Sequence, residues 1–416
     1  MARRYLDMGW TSAIDAAAAK PRLDVVLRNA IDAGECPGPR YLAGSQEITT
    51  ICALGDNTLP HMHFDELSFG SVCSGPEEIR RSARTFIKYG VDHLKINLSG
   101  EYIAGLPAEM SPFAEDEIAM LASEAKRYGK RMAAHARSSE SVKQCVRHGI
   151  EMVRHASFAD EEALDTLEAS KDKHFVAPGI GWLIRTTYNA SEYGITPAVA
   201  EKMGYKRELE IASESLRQMH RRGIRILPGG DYGFAWMPHG TNANDLQYFV
   251  DYIGMTPTEA LVSAARLGGQ IMMRPDELGM LRAGYLADVV IVPQHRPKRR
   301  RVASAGRRFS VAGRGDTGSV GGRGVIGPLQ SRASKPNFKP PDVGRFYCFT
   351  RRYRIDSRAA GSGLALMLRA EVTARKSSLR NRYWLINLRL SLINTRYILQ
   401  ASTGVTPEHG MASMES

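Results

Sequence analysis

Cysteine is scarce in this 416-residue chain: five residues (Cys36, Cys52, Cys73, Cys145 and Cys348), an odd number with no CxxC spacing. That excludes a disulfide scaffold and a zinc ribbon, and it fits a reducing compartment, so a cytoplasmic location is expected. Long apolar runs are lacking too. No uninterrupted stretch reaches the about 18–20 residues of a bilayer span, which argues against an integral membrane protein. No GxGxxG follows a strand pattern and no GxxxxGK[ST] occurs, so nucleotide-binding folds lose support. Aromatics are few at 8%, yet 43% of the residues are apolar, enough for a sizeable core and against wholesale disorder. The length accommodates two to three average domains, or one large barrel with a satellite.

Charge of one sign is what the chain has in excess, a formal +12, but unevenly. Residues 294–416 hold 24 Lys and Arg against 6 Asp and Glu, while the first 293 residues hold 32 against 38. Two unlike compositions share one chain, and the global charge describes neither.

The first 293 residues repeat one unit. In SGPEEIRRSARTFIKYG (74–90), Ser74 and Glu77 make a capping-box pattern and Pro76 fits the first turn. Ile79, Ala83, Phe86 and Ile87 then form an apolar stripe, and Gly90 closes the helix. VDHLKINLSG follows as a strand with Leu94, Ile96 and Leu98 on one face and His93, Lys95 and Asn97 on the other. The same grammar leads into RMAAHA (131–136), EMVRHAS (151–157), HFVAPGI (174–180) and IRILPGGD (224–231). Upstream, GWTSAID (9–15) and RYLAGSQ (40–46) flank a helix from about Asp24 to Ala33. Seven strands alternating with helices predict a parallel sheet, and tandem crossovers over this length favour a β/α barrel.

Working side chains of such a barrel stand at the C-terminal ends of its strands. Four strands here carry a residue able to bind a metal: Lys95, His135, His155 and Asp231. A lone strand-end histidine is ordinarily a hydrogen-bonded structural residue, and Asp231 after Gly229-Gly230 has an equal reading as a turn residue. Lys95 is less bland, because a lysine facing a barrel interior needs a partner or a shifted pKa. Their joint occurrence carries the argument.

The segments DHLKINLSG, MAAHARSSESV, VRHASFADEEAL, LPGGDYG, PHGTNANDLQYFVDYIGMTPTEALVSAA and ELGMLRAGYLADVVIV resemble the amidohydrolase superfamily. The nearest branch is that of imidazolonepropionase and Xaa-Pro dipeptidase-like metal-dependent hydrolases. The resemblance spans about residues 5–293 in motif order and spacing. It implies a (β/α)8 TIM barrel hydrolysing an amide-type C–N bond with a divalent metal, zinc first, as one or two ions. In that family Lys95 would be carbamylated and bridge the metals, His135 and His155 would bind the second, and Asp231 would ligate and shuttle the proton of the attacking water. His239, in the loop after the last strand, is the candidate substrate contact, with a plain loop histidine as its equal alternative. Relatives carry an HxH pair on a first strand that has no counterpart ahead of GWTSAID, so an incomplete barrel is expected. His61-Met62-His63, the one HxH in the chain, lies between the third strand and Ser74 and reads as a loop above the barrel mouth.

These readings divide the chain into the barrel (1–283), a return strand to a small β-sandwich (284–293) and a basic, irregular tail (294–416). The tail's 20 Arg against 4 Lys, with abundant Gly, Ala and Ser, match a shifted reading frame of GC-rich coding DNA. The expected partner is a small-molecule or peptide-like substrate, with a homo-oligomer and without membrane or nucleic acid. Two rivals remain: a catalytically inactive remnant of the same fold, and a nucleic-acid binder acting through PKRRR (297–301) and the rest of the tail.

Overall fold

The computed structural model describes residues 1–59, 61 and 68–291, with the backbone of strands Tyr347–Cys348, Leu368–Lys376, Trp384–Leu392 and Ile398–Gln400. Eight strands come first: β1 (Ser12–Ile14), β2 (Arg40–Leu42), β3 (Gly44–Thr49), β4 (Gly70–Val72), β5 (His93–Asn97), β6 (Arg131–Ala136), β7 (Met152–His155) and β8 (Phe175–Ala177). Six of them form one sheet, in the order β4-β3-β5-β6-β7-β8, with every pair parallel. β1 pairs parallel with β2, and Ala18 bridges Gln46, so the first strand follows the edge of the 40–49 segment. At the other end Ile226 bridges Val176, which adds residues 224–227 beside β8. Six of the seven strand segments expected from the sequence are thus strands, with 40–46 split between β2 and β3; 224–231 adds a single bridge, and β4 is an unexpected strand. Among the described residues no strand precedes Ser12, and the helix Ala2–Asp7 occupies that stretch.

Helices cross between the strands for local reasons. Pro76–Tyr89 starts with Pro76, Glu77 and Glu78 at its positive end and stops at Gly90, whose φ of 93° suits glycine. Its start differs from the expected Ser74–Glu77 box. Gly75, at φ 85°, redirects the chain and becomes the cap. The Ser74 N–H donates to Glu78, and that of Gly75 to Glu117 of the next helix. Ser138, Asp160 and Thr256 do cap their helices with side-chain oxygens.

Strand parity sorts the core into two layers. Leu94, Ile96, Ala134, Val153 and Val176 face the helices, meeting Ile79, Phe86, Leu121 and Leu216 in the large cluster. Ala133, Met152, Phe175, Ala177 and Leu227 make a small cluster of their own on the opposite face. That inner face is also the one carrying His93, Lys95 and His135. With both faces covered, all five residues of β5 are buried.

The chain divides into two compact units: residues 1–316 with 342–355, and residues 317–341 with 356–416. In the first, the expected return strand is limited to Val290–Ile291, which pairs antiparallel with Tyr347–Cys348. In the second, where an irregular tail is expected, three strands pair antiparallel, with Leu368 opposite Leu392 and Arg389 opposite Gln400. The reason is a period of two: Leu368, Ala370, Val372 and Ala374 alternate with Arg369, Glu371, Thr373 and Arg375. The PKRRR cluster lies outside the described residues.

Candidate active site

Lys95 sits mid-strand on β5 and is buried. Its ammonium donates to the Asn97 amide oxygen at 2.9 Å and lies 3.8 Å from the Glu47 carboxylate on β3. Asn97 in turn donates to Glu47, at 2.8 Å. Burial lowers the Lys95 pKa, with Glu47 opposing, which raises the fraction of free amine.

His135, on β6, places Nε2 3.1 Å from the Gly100 carbonyl. His155 has the parity of Val153 and would face the helices if the pleat continued. Instead the backbone turns left-handed at His155 (φ 73°) and Ala156 (φ 56°), and the ring meets that of His135 with centroids 4.5 Å apart. Such φ values are costly for non-glycine residues and concentrate at working sites. Buried His155 Nδ1 has no hydrogen-bond partner. Gly179 makes room for it: a Cβ there would come within 2.7 Å of that nitrogen. Burial, and next the neighbouring Arg137 charge, holds both imidazoles well below their usual pKa, in the neutral form that ligates metals.

Asp231 ends the 224–231 segment, half-buried and again left-handed at φ 60°. Its charge acts on Lys95, Arg137 and Arg154. The four expected residues therefore face one region, the two imidazoles in contact and Lys95 and Asp231 within electrostatic reach. Among the described residues no three His, Cys, Asp or Glu side chains come close enough to hold a metal by themselves. The side chains of metal-ligating type that meet here are the two neutral imidazoles, with Lys95 within electrostatic reach. His61 is exposed, and Met62 and His63 lie outside the described residues. His239 stands apart from the imidazole pair, its Nδ1 2.7 Å from the Tyr5 hydroxyl of the first helix.

Three features escape the sequence reading. Arg137, two residues past His135, is fully buried between Glu101 at 2.5 Å and Glu208 at 2.6 Å. Tyr205 donates to the same Glu101, whose pKa burial raises to about 7 despite Arg137. Around Gly44, at the start of β3, lie Asp15 and His93, with Asp24 held by the Tyr41 hydroxyl at 2.8 Å. Trp182 stacks with Phe234 and Trp236, which follow Asp231 in the chain, with ring centroids 4.2–5.4 Å apart. A charged residue two places beyond a ligand-type histidine was the available signal for Arg137. The partners Glu101 and Glu208 come from distant loops and helices that no local pattern links.

A parallel β/α sheet that carries a buried lysine and two histidines, with an aspartate after its last segment, has the fold of the barrel-type hydrolases. The chain belongs to the amidohydrolase family, whose model matches residues 1–316. It is 26% identical over 230 residues to ochratoxinase of Aspergillus niger, an alignment covering 54% of this chain and 45% of that enzyme. The chain thus spans about half the length of the curated relatives it matches. Among solved structures it resembles a Xaa-Pro dipeptidase with bound methionine in the active site, at 25% identity, 70% of either chain and a TM-score of 0.61. A putative prolidase from Bifidobacterium longum matches at 26% identity, 70% of this chain, 68% of the other and a TM-score of 0.60. The family consists of hydrolases of C–N bonds and is generally metal-dependent. No helix among the described residues is long and apolar enough to cross a membrane.

Proposed function

We propose that this protein hydrolyses an amide bond of a small N-acyl or peptide-like substrate with the help of one divalent cation, zinc first by its preference for imidazole. The observation that carries this is the His135–His155 pair: two buried neutral imidazoles in ring contact, one with an unused nitrogen, on a strained strand end. His135, His155 and carbamylated Lys95 would hold the ion. A cation held there would lower the pKa of a bound water toward neutrality and polarise the scissile carbonyl. Asp231 takes the proton of the attacking water and returns it to the leaving nitrogen, for which a half-buried carboxylate open to the site is suited. Asn97 and Glu47 fix the Lys95 side chain, and Gly179 leaves the His155 ring its space. His239, held by Tyr5, would be the substrate contact.

The test is metal content by mass spectrometry together with turnover of an N-acyl amino acid and an Xaa-Pro dipeptide. About one zinc per chain, lost on His155→Ala along with turnover, is expected. No bound metal and no turnover would instead favour the inactive remnant. Two tightly held ions would require ligands beyond these, and His61 and His63 would return as candidates.

A further inference from the structure

We infer that Arg137, held between Glu101 and Glu208, is a positioning residue for His135: it pins the turn after β5 so that the Gly100 carbonyl keeps the imidazole in one tautomer. The need for such a device rests on the amidohydrolase reading above, in which His135 holds the cation.

The turn and the end of β6 are linked one residue at a time. Along the ladder Asn97 stands opposite His135. Past the end of β5 the Leu98 N–H donates to the His135 carbonyl at 2.9 Å, and the Arg137 N–H donates to the Ser99 hydroxyl at 2.8 Å. Two side-chain contacts follow: His135 Nε2 to the Gly100 carbonyl at 3.1 Å, and Arg137 to Glu101 at 2.5 Å. The Gly100 carbonyl belongs to the peptide unit that joins Gly100 to Glu101, so what fixes Glu101 also fixes that oxygen. Tyr205 donates to Glu101 at 2.8 Å, and the Gly100 N–H donates to the Met110 carbonyl at 3.0 Å. On its other side Arg137 meets Glu208 at 2.6 Å, in the helix Tyr205–Arg221, which ties the turn to the layer outside the sheet.

A carbonyl oxygen only accepts, so the contact with Gly100 puts the ring proton on Nε2 and leaves the other nitrogen of a neutral imidazole its lone pair. His155 is placed by different means, its left-handed backbone and the space at Gly179. Stability alone is a weak reason for the cluster. Arg137, Glu101 and Glu208 are all buried, and well-packed apolar side chains of like volume commonly stabilise as much or more. An ion cluster differs in admitting few geometries, which is what a ligand-type histidine next to it requires.

The experiment reads the tautomer directly. In the full chain, freed of metal and carrying isotope-labelled histidine, long-range proton–nitrogen spectra separate the two ring nitrogens, and His135→Gln identifies the signal. Wild-type His135 is expected to carry its proton on Nε2 alone. Arg137→Met should give a mixture of tautomers and weaken zinc binding, read by titration, about tenfold. Arg137→Lys, which keeps one ion pair, should recover part of both. Arg131→Ala breaks a comparable pair with Glu151, 2.6 Å apart at the other end of β6, and should change neither. If Arg137→Met fails to fold, Glu101→Gln, which keeps the shape and the Tyr205 bond, reads the same loss of a single tautomer. One unchanged tautomer in every folded variant would overturn the positioning role and leave the hydrolase reading standing. Equal changes in Arg131→Ala would overturn it too, as general loosening of the strand. A tautomer that follows Arg137 in a protein without zinc affinity would keep the positioning role and sink the metal reading.

Discussion

Two clusters of buried ionisable groups share the inner face of the sheet, and they resemble each other more than their positions suggest. Toward the C-terminal side stand Lys95, in the middle of β5, and His135, His155 and Asp231 near their strand ends. Around Gly44, at the start of β3 and β5, stand Asp15, Asp24, Tyr41 and His93, with Arg154 donating to the Asp15 carbonyl at 3.0 Å. Each holds a buried imidazole: His155, whose Nδ1 has no hydrogen-bond partner among the described residues, and His93, beside the Asp15 backbone. Each imidazole is kept neutral by burial first, with His93 pushed down to about 3. Each has a glycine that makes room for it: a Cβ on Gly44 would come within 2.9 Å of His93 Nε2. The differences lie elsewhere. At the strand ends two imidazoles touch and three non-glycine residues, His155, Ala156 and Asp231, are left-handed, whereas none of Asp15, Asp24, Tyr41 and His93 is. Burial and a depressed pKa alone therefore do not mark the site. Paired ligand-type side chains on a strained backbone at the C-terminal ends do, and the Gly44 cluster reads as part of the closed, stabilising end.

The comparison is broken most easily by function. Asp231→Asn or Lys95→Ala should reduce hydrolysis by at least about 100-fold with little change in melting temperature, since these residues act on the reaction. Unchanged turnover in either would sink the site assignment, as would a comparable loss from His93→Gln at full stability. Next comes Arg137→Ala, which strands Glu101 and Glu208 as buried unpaired carboxylates and should cost about 3–5 kcal/mol in urea unfolding. A loss below about 1 kcal/mol would mean that water reaches the network. Finer still is a matched pair. Gly179→Ala and Gly44→Ala each force a methyl against a buried imidazole, the second against the Asp15 carboxylate as well, at roughly 1–3 kcal/mol of overpacking, and Gly179 at φ 59° adds backbone strain. Gly179→Ala should also weaken metal retention, and Gly44→Ala should not. Equal metal loss in both would erase the functional distinction between the two ends.

Much of this was legible in the residues. Helix–strand alternation located six strands of the seven expected because each unit announces itself locally, through caps such as Ser138 and Asp160 and through Gly90 at a helix end. Lys95, His135, His155 and Asp231 stood out as ligand-type residues. What stayed hidden depends on contacts across the sheet or on single backbone angles. Ser74 had the chemistry of a cap, but the glycine after it moved the turn by one residue. Parity would send His155 outward, and only its left-handed φ brings it to His135. Arg137 meets Glu208 across 71 positions, and the Gly44 cluster gathers β1, β2, β5 and the first turn of a helix.

The last test is one of slope rather than size. Burial, reinforced by Asp24, lifts the Asp15 carboxyl from 3.8 to about 8. Between those pH values the folded chain keeps a proton that the unfolded chain releases, so Asp15 makes stability fall as pH rises through that window and level off above it. Glu101, lifted from 4.5 to about 7, tilts the curve the same way over a narrower range. Asp15→Asn removes the titration but leaves the bond from Arg154, which ends on the backbone carbonyl. The variant's urea midpoint should therefore depend less on pH than the wild type's, and its advantage should be greater at pH 8 than at pH 5. Because Asp15 lies in the stabilising cluster, kcat should not follow the same profile. If turnover titrated with stability and flattened in Asp15→Asn, the two ends of the sheet would be one coupled system, and the division between them would fail.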